Sequence, residues 1–239
     1  ALNAEMTNEL VEVLDYAKDD SSLCTIVLRG KGDIFCAGGD IKDFKNTMQN
    51  TDINSVSLNN RSFGNVMTKL NEQPQVVIIL VEGAAIGGGL GLACVSDITL
   101  VHQETKFRLS ETSLGIPPAQ IAPFVVQRIG ITNARYLMLT GAKFDGKKAF
   151  EIGLAHAVFQ DSCQMEQRLA DILSEINECA KNANAATKKI LLKALCSPMT
   201  ETLDFASFEF ANCMLGDEGR EGVSAFLEKR KPFWVENDG

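Results

Sequence analysis

The chain has 239 residues and a mass of 26.0 kDa, with 45% hydrophobic and 23% charged residues, enough apolar material for a full core and unlike a disordered chain. A net charge of −8 and a pI near 4.9 repel phosphate backbones and weigh against a nucleic-acid role. The longest strongly apolar stretch, Val76 to Val81, is far short of the ~20 residues that span a bilayer, and the opening residues carry no signal-peptide pattern.

The chain opens on a helical pattern. Met6, Leu10, Val11, Val13 and Leu14 recur at near-helical spacing, with Asn3 or Thr7 as candidate caps. No strand precedes this helix, so an upstream strand pair is expected to be missing from the sequence. Leu23 to Leu28 is a short apolar run stopped by Arg29-Gly30, which predicts a buried strand. A loop follows over Lys31 to Asp40. Residues 43 to 60 are polar and rich in Asn, Ser and Thr, and are expected to be a mobile loop. A helix is predicted from about Asn60 to Leu70. Val76 to Val81 predicts a second buried strand, running into Glu82 to Gly89. A helix is expected over Leu90 to Cys94, then short strands at Asp97 to Val101 and Lys106 to Leu109. This strand–helix alternation implies an α/β fold. Beyond Pro117 helical spacing dominates: Ile121 to Ile129, Asn133 to Leu139, Lys147 to Ile152, Gln164 to Ala183, Ala185 to Leu195, Thr200 to Leu215 and Gly219 to Lys231. The last half is therefore expected to be nearly all helix. No repeat or linker interrupts the chain.

The seven cysteines are odd in number and include no CxxC pair, which speaks against a disulfide framework or a zinc cage. Most read as small buried hydrophobes in a reducing compartment. Only His102 and His156 are present, so a histidine-rich metal site is excluded, and no GxSxG elbow supports a serine nucleophile. The chemistry is left to carboxylates and backbone groups. His156 sits in an apolar stretch and reads as a satisfied buried histidine. Asp40, Asp97 and Asp145 read as a turn, a strand start and a helix cap. Trp234 reads as packing.

Two glycine-rich turns each follow a buried strand, Cys36-Ala37-Gly38-Gly39-Asp40 and Gly87-Gly88-Gly89. Glycine lets a backbone N–H approach a ligand without a side chain in the way. Two such groups aimed at one carbonyl oxygen make an oxyanion hole; two ordinary tight turns would look the same. Neither turn is GxGxxG or GxxxxGK[ST], so nucleotide phosphate binding has no motif support.

Phe35 to Lys42, Gly83 to Gly89, Leu92 to Asp97, Phe107 to Gly115, Leu139 to Gly141, Arg220 to Gly222 and Ala225 to Lys231 occur in the order, and with the residues, of the enoyl-CoA hydratase/isomerase (crotonase) superfamily, which the chain resembles over nearly its whole length. The resemblance implies a crotonase spiral of ββα units with a helical C-terminal trimerisation region, divided at 1–184 and 185–239. It implies an acyl-CoA thioester as substrate, no separate cofactor since coenzyme A is part of the substrate, a homotrimer or dimer of trimers, no nucleic-acid or membrane partner, and a cytoplasmic location. On the family pattern the N–H groups of Gly39 and Gly88 hold the thioester oxygen. CoA lies along Ala37, Gly38, Asp40, Ile41 and Lys42, and Phe226 and Lys229 of a neighbouring subunit close over it. Phe226 has core packing as its alternative, and Lys229 a solvated charge.

Well-known hydratases of this family pair two glutamates, the first in a GGGxE pattern. Here that position is Gly91; the second, twenty residues on, is Glu111, and no Asp or Glu follows until Asp145. Without the resemblance Glu111 would read as an exposed or capping glutamate. With it, Glu111 is the single acid/base. One carboxylate supports double-bond isomerisation by the same base, and also hydration. Mechanism leans towards an isomerase. The segments Asn60 to Gly64 and Glu111 to Pro123 resemble the branched glutaconyl-CoA hydratase branch, including isohexenylglutaconyl-CoA hydratases, and lean towards a hydratase. Arg61 is then a candidate grip for a distal substrate carboxylate, or a plain surface arginine. The leading reading is an enoyl-CoA hydratase; the alternatives are an enoyl-CoA isomerase and a crotonase homologue that binds acyl-CoA or RNA without turnover.

Overall fold

The computed structural model describes residues 1–49 and 51–236, leaving the side chains of Ile41, Phe44, Asn46 and Glu236 undescribed. The chain divides into two compact units, Ala1–Tyr16, Val27–Asn71 and Val77–Gln167 in one, and Ala17–Ile26, Glu72–Val76 and Arg168–Gly239 in the other.

The first unit carries most of the strand structure. Helix α1 (Ala4–Asp19) starts where Asn3 Oδ1 accepts from Met6 N–H at 2.9 Å, and its Leu14 is fully buried. The strands β1 (Thr25–Arg29), β2 (Val76–Val81), β4 (Ile98–His102) and β7 (Ala157–Phe159) form a sheet in the order β1-β2-β4-β7, with β2, β4 and β7 parallel. The run Val77 to Val81 is wholly buried, as a parallel strand covered on both faces requires. A second sheet is built from β3 (Ala84–Ile86), β5 (Lys106–Arg108) and β6 (Lys143–Phe144), with β3 parallel to β5 and β6 antiparallel to it.

The segment 43–60 is not the loop its composition suggests. Helix α2 covers Ile41–Thr47 and α3 covers Ile53–Asn71. Two aspartates start these helices: Asp40 Oδ1 accepts from Lys42 N–H at 2.8 Å, and the Asp52 carboxylate accepts from Asn54 and Ser55 N–H at 3.1 and 3.2 Å. Polar residues then face solvent, while Gly64, Val66, Met67 and Leu70 are buried. The short helix α4 (Gly88–Val95) contains no polar side chain and packs against α3 and against α5 (Ala122–Thr140). Gly130 breaks the helical backbone inside α5, which accounts for the two separate helical patterns read on either side of it. Helix α6 (Gly146–Glu151) begins at Asp145, whose carboxylate accepts from Lys148 N–H at 2.9 Å as a cap. The expectation of an almost purely helical second half needs correcting for β6 and β7, strands of two and three residues. His156 is also not the buried histidine anticipated: it is exposed, with Nδ1 accepting from Thr99 N–H at 3.0 Å.

The second unit is mainly helical. It contains the later part of α7 (Ser162–Asn177), then α8 (Lys181–Ala194), α9 (Met199–Leu215), α10 (Asp217–Glu228) and α11 (Phe233–Glu236). Helix α9 packs on α8 and α10. Lys188 Nζ donates to the carbonyls of Gln73 and Gln75 at 2.8 and 2.6 Å. The indole N–H of Trp234 donates to Glu178 O at 3.3 Å. Leu203, Phe208, Phe210 and Leu215 leave much of α9 apolar and exposed. Among the described residues no helix is long and apolar enough to cross a membrane.

Candidate active site

The two glycine turns lie side by side because the chains leading into them are bonded together. Phe35 N–H donates to Glu82 O at 3.1 Å, Cys36 N–H to Ala84 O at 3.0 Å, and Ile86 N–H to Cys36 O at 3.0 Å. Beyond this ladder the chains emerge as Ala37-Gly38-Gly39 and Gly87-Gly88. Leu2 then pairs with Gly39 in a parallel bridge, Leu2 N–H donating to Gly38 O at 2.7 Å and Asp40 N–H to Leu2 O at 3.0 Å. In that pattern the bonds are made by the residues flanking Gly39, so its own N–H points away from Leu2. Among the described residues no backbone carbonyl accepts from Gly39 N–H or Gly88 N–H. Gly88 opens α4, where the first amides have no partner within the helix. Both glycines are half-buried, within reach of a ligand.

Gly87 sets the geometry of the second turn. Its φ of 51° with ψ of −116° suits only glycine, and its N–H donates to Arg108 O at 2.9 Å. A Cβ there would stand 2.6 Å from Glu111 Oε1. Glu111 therefore lies against the residue next to Gly88. It heads a 3-10 turn, Glu111–Leu114, that follows β5. The turn is held by Thr112 Oγ1 donating to Met138 O at 2.8 Å and by Ser113 Oγ donating to Ser110 O at 2.6 Å. Arg108 Nε donates to Gly141 O at 3.0 Å beside it. Glu111 Oε2 is buried with no hydrogen-bond partner. Burial pushes the carboxyl pKa above the ordinary glutamate range, and the backbone N–H groups of Glu111 and Ser110 pull part of that back. Such a carboxylate is a stronger base than a solvated one, with an open lone pair for a proton.

Gly91 has no room for a side chain. A Cβ there would overlap Ile121 Cγ2 and stand 3.2 Å from Met67 Cε. Ile121 is 3% exposed and Met67 is fully buried. The space a glutamate at position 91 would need is filled with aliphatic carbon. Gly88 is walled by Leu2 Cδ1 and Phe63 Cζ, which would stand 3.0 and 3.2 Å from a Cβ at that position.

The remaining candidates are more scattered. Arg61 is exposed on α3, with its Nη1 over Gly64 beside Gln120, and Gln120 Nε2 donates to Asn60 Oδ1 at 2.8 Å. Ala37 and Lys42 are exposed, Gly38 is buried and Asp40 is half-buried. The side chain of Ile41 lies outside the described residues. Phe226 and Lys229 belong to the second unit. Phe226 is 83% exposed, so it is not a core residue of this chain, and Lys229 is an exposed residue with left-handed backbone closing α10. Leu2, Met67 and Ile121 escaped the sequence reading, because nothing local marks residues that meet a turn only through the fold.

The enoyl-CoA hydratase/isomerase family model matches residues 1–237. Pseudomonas aeruginosa AtuE superposes with a TM-score of 0.94 at 47% identity, covering 98% of this chain and 91% of that one. An enoyl-CoA hydratase/isomerase from Marinobacter aquaeolei gives 0.93 at 41%, covering 98% and 90%. Enoyl-CoA hydratase ACTT6 of Alternaria alternata is 31% identical over 95% of this chain and 74% of its own length. The family match spans the stretch that holds both glycine turns and Glu111.

Proposed function

The chain belongs to the enoyl-CoA hydratase/isomerase family, with the crotonase fold and an acyl-CoA substrate, and from that footing we propose that it is an enoyl-CoA hydratase with Glu111 as its sole acid/base. The observation that carries this reading is the Glu111 carboxyl, which lies against Gly87 with Oε2 buried and unpartnered.

In this reading the thioester oxygen accepts from Gly39 N–H and Gly88 N–H. A water hydroxyl adds to Cβ of the α,β-unsaturated acyl group as Glu111 takes the water's second proton. The alkene electrons move through Cα onto the thioester oxygen, and the two amides stabilise the enolate. Glu111 then returns its proton to Cα, which restores the carboxylate and completes the addition of one water. Coenzyme A enters as part of the substrate, and the steps use no further cofactor. Ala37, Gly38, Asp40, Ile41 and Lys42 border the CoA, and Phe226 and Lys229 of a neighbouring subunit cover it in a homotrimer or dimer of trimers. The thiols are unpaired, and only Cys36 and Cys94 are buried, not most of the seven as expected, with Cys163, Cys179 and Cys196 exposed; exposed unpaired thiols support a reducing, cytoplasmic setting. Arg61, exposed beside Gln120, is the residue of choice for a carboxylate at the far end of the acyl group.

The alternative is an isomerase, in which Glu111 takes a proton from Cα of a β,γ-enoyl-CoA and returns it to Cγ. The closed space at Gly91 favours it, since isomerisation asks for one base. The hydratase name of the Alternaria relative supports hydration. A panel of crotonyl-CoA, a β,γ-enoyl-CoA and methylglutaconyl-CoA separates them: water addition is expected, and isomerisation alone would overturn the hydratase reading. No turnover of any of them would leave acyl-CoA binding without catalysis.

A further inference from the structure

Helix α4 presents Gly88, yet its sequence, Gly-Gly-Leu-Gly-Leu-Ala-Cys-Val, has no polar side chain with which to fix itself. Its N-terminal end has no side-chain cap either. What holds it comes from one face of α5. Ile121, at the start of that helix, fills the space above Gly91. Seven residues later, two turns along the same face, Arg128 reaches the other end of α4. Its Nη2 donates to Ser96 O, to Ala93 O at 3.3 Å and to Ser96 Oγ at 3.2 Å, with Thr99 Oγ1 at 3.5 Å. The hydroxyls of Ser96 and Thr99 also donate to Ala93 O, each at 3.0 Å. One of the last carbonyls of α4, Ala93 O, which has no partner inside the helix, and the carbonyl of the capping residue Ser96 are thus gathered onto one half-buried guanidinium. Arg128 Nε itself is buried without a partner, so the group is placed for these carbonyls at the expense of its own satisfaction. A cation there also faces the negative end of the helix dipole.

We propose that Arg128 is a positioning residue that fixes α4, and through it the aim of the Gly88 N–H at the thioester oxygen. The inference rests on the reading of Gly88 as an oxyanion donor. Loss of the clamp frees an apolar eight-residue helix to shift along Ile121. A displacement of ~1 Å at a catalytic donor can cost about 100-fold in rate.

The test is Arg128→Met, with Arg128→Lys as the conservative partner. Two readouts are needed: turnover of crotonyl-CoA, and the infrared carbonyl stretch of bound butyryl-CoA isotopically labelled at the thioester carbon. Butyryl-CoA cannot be hydrated, and hydrogen bonds from an oxyanion hole lower its carbonyl frequency. The native protein should lower that frequency on binding. Arg128→Met should lose most of the downshift and ~10–100-fold in kcat, with KM nearly unchanged. Arg128→Lys, which keeps the charge on a shorter side chain that brings its nitrogen less far than Nη2, should fall between. A folded Arg128→Met with native downshift and native kcat would overturn the proposal. If Arg128→Met does not fold, Arg128→Lys decides: an intermediate downshift supports the proposal and a native one overturns it. Absence of any downshift in the native protein would instead refute the oxyanion reading on which the proposal stands.

Discussion

Replacing Gly91 by alanine drives a Cβ into Ile121 Cγ2, with Ile121 Cβ only 3.0 Å away and Met67 Cε 3.2 Å away. Overpacking of this kind costs ~1–3 kcal/mol, and the gain of up to ~1 kcal/mol from removing a helical glycine offsets only part of it. Ile121→Ala, at a site 3% exposed, should cost ~2–5 kcal/mol through lost burial and the cavity left behind. The two substitutions fit each other, since the alanine at Gly91 occupies part of the space Ile121 vacates. The double variant should therefore be more stable than the sum of the singles by ~1–3 kcal/mol. Urea unfolding followed by circular dichroism, at one fixed protein concentration, measures the cycle. Additivity within about 0.5 kcal/mol would refute the claim that Ile121 fills the space of a second acid. Gly91→Glu should be less stable than Gly91→Ala, because its carboxylate would be buried against carbon with no partner.

Glu111 should carry a pH signature in both stability and rate. Its folded pKa is raised by burial, so its contribution to stability is fully present below the unfolded glutamate pKa and is lost as pH rises through the folded value. Glu111→Gln should accordingly raise the Tm at neutral pH, with the gain vanishing in acid; a gain that grew in acid would contradict the burial argument. In the native protein kcat/KM should fall on acidification with a midpoint above the ordinary glutamate value. Arg61→Ala should weaken a glutaconyl-type substrate by ~1.5–3 kcal/mol, the range for hydrogen bonds to a charged group, and leave crotonyl-CoA nearly untouched; equal effects on both would return Arg61 to the surface. Sedimentation should find a trimer or hexamer, given the exposed Phe208, Phe210 and Phe226; a stable monomer at micromolar concentration would count against it.

The sequence made legible those features whose cause is local. Val76 to Val81 reads as a buried strand because its apolar run is continuous, and Asp145 reads as a cap because its side chain serves an amide three residues on. Glu111 was reached by spacing within a family pattern, and the fold carries it to Gly87. Helix α2 and the first turns of α3, ahead of the helix read from Asn60 to Leu70, are hidden by polar composition, although Asp40 and Asp52 mark the starts. Strand β7 is too short to have a period, and its pairing with β4 makes it a strand. Leu2, Ile121 and Arg128 act on residues tens of positions away. Arg128 escaped the sequence reading, because nothing local tells which carbonyls it serves.

Crotonyl-CoA and a β,γ-enoyl-CoA, offered in parallel to the native protein and to Glu111→Gln, test the central claim most directly. The native protein should hydrate crotonyl-CoA, and Glu111→Gln, folded and still able to bind butyryl-CoA, should lose ~10²–10⁴-fold in turnover. Full activity in Glu111→Gln on every accepted substrate would contradict the account.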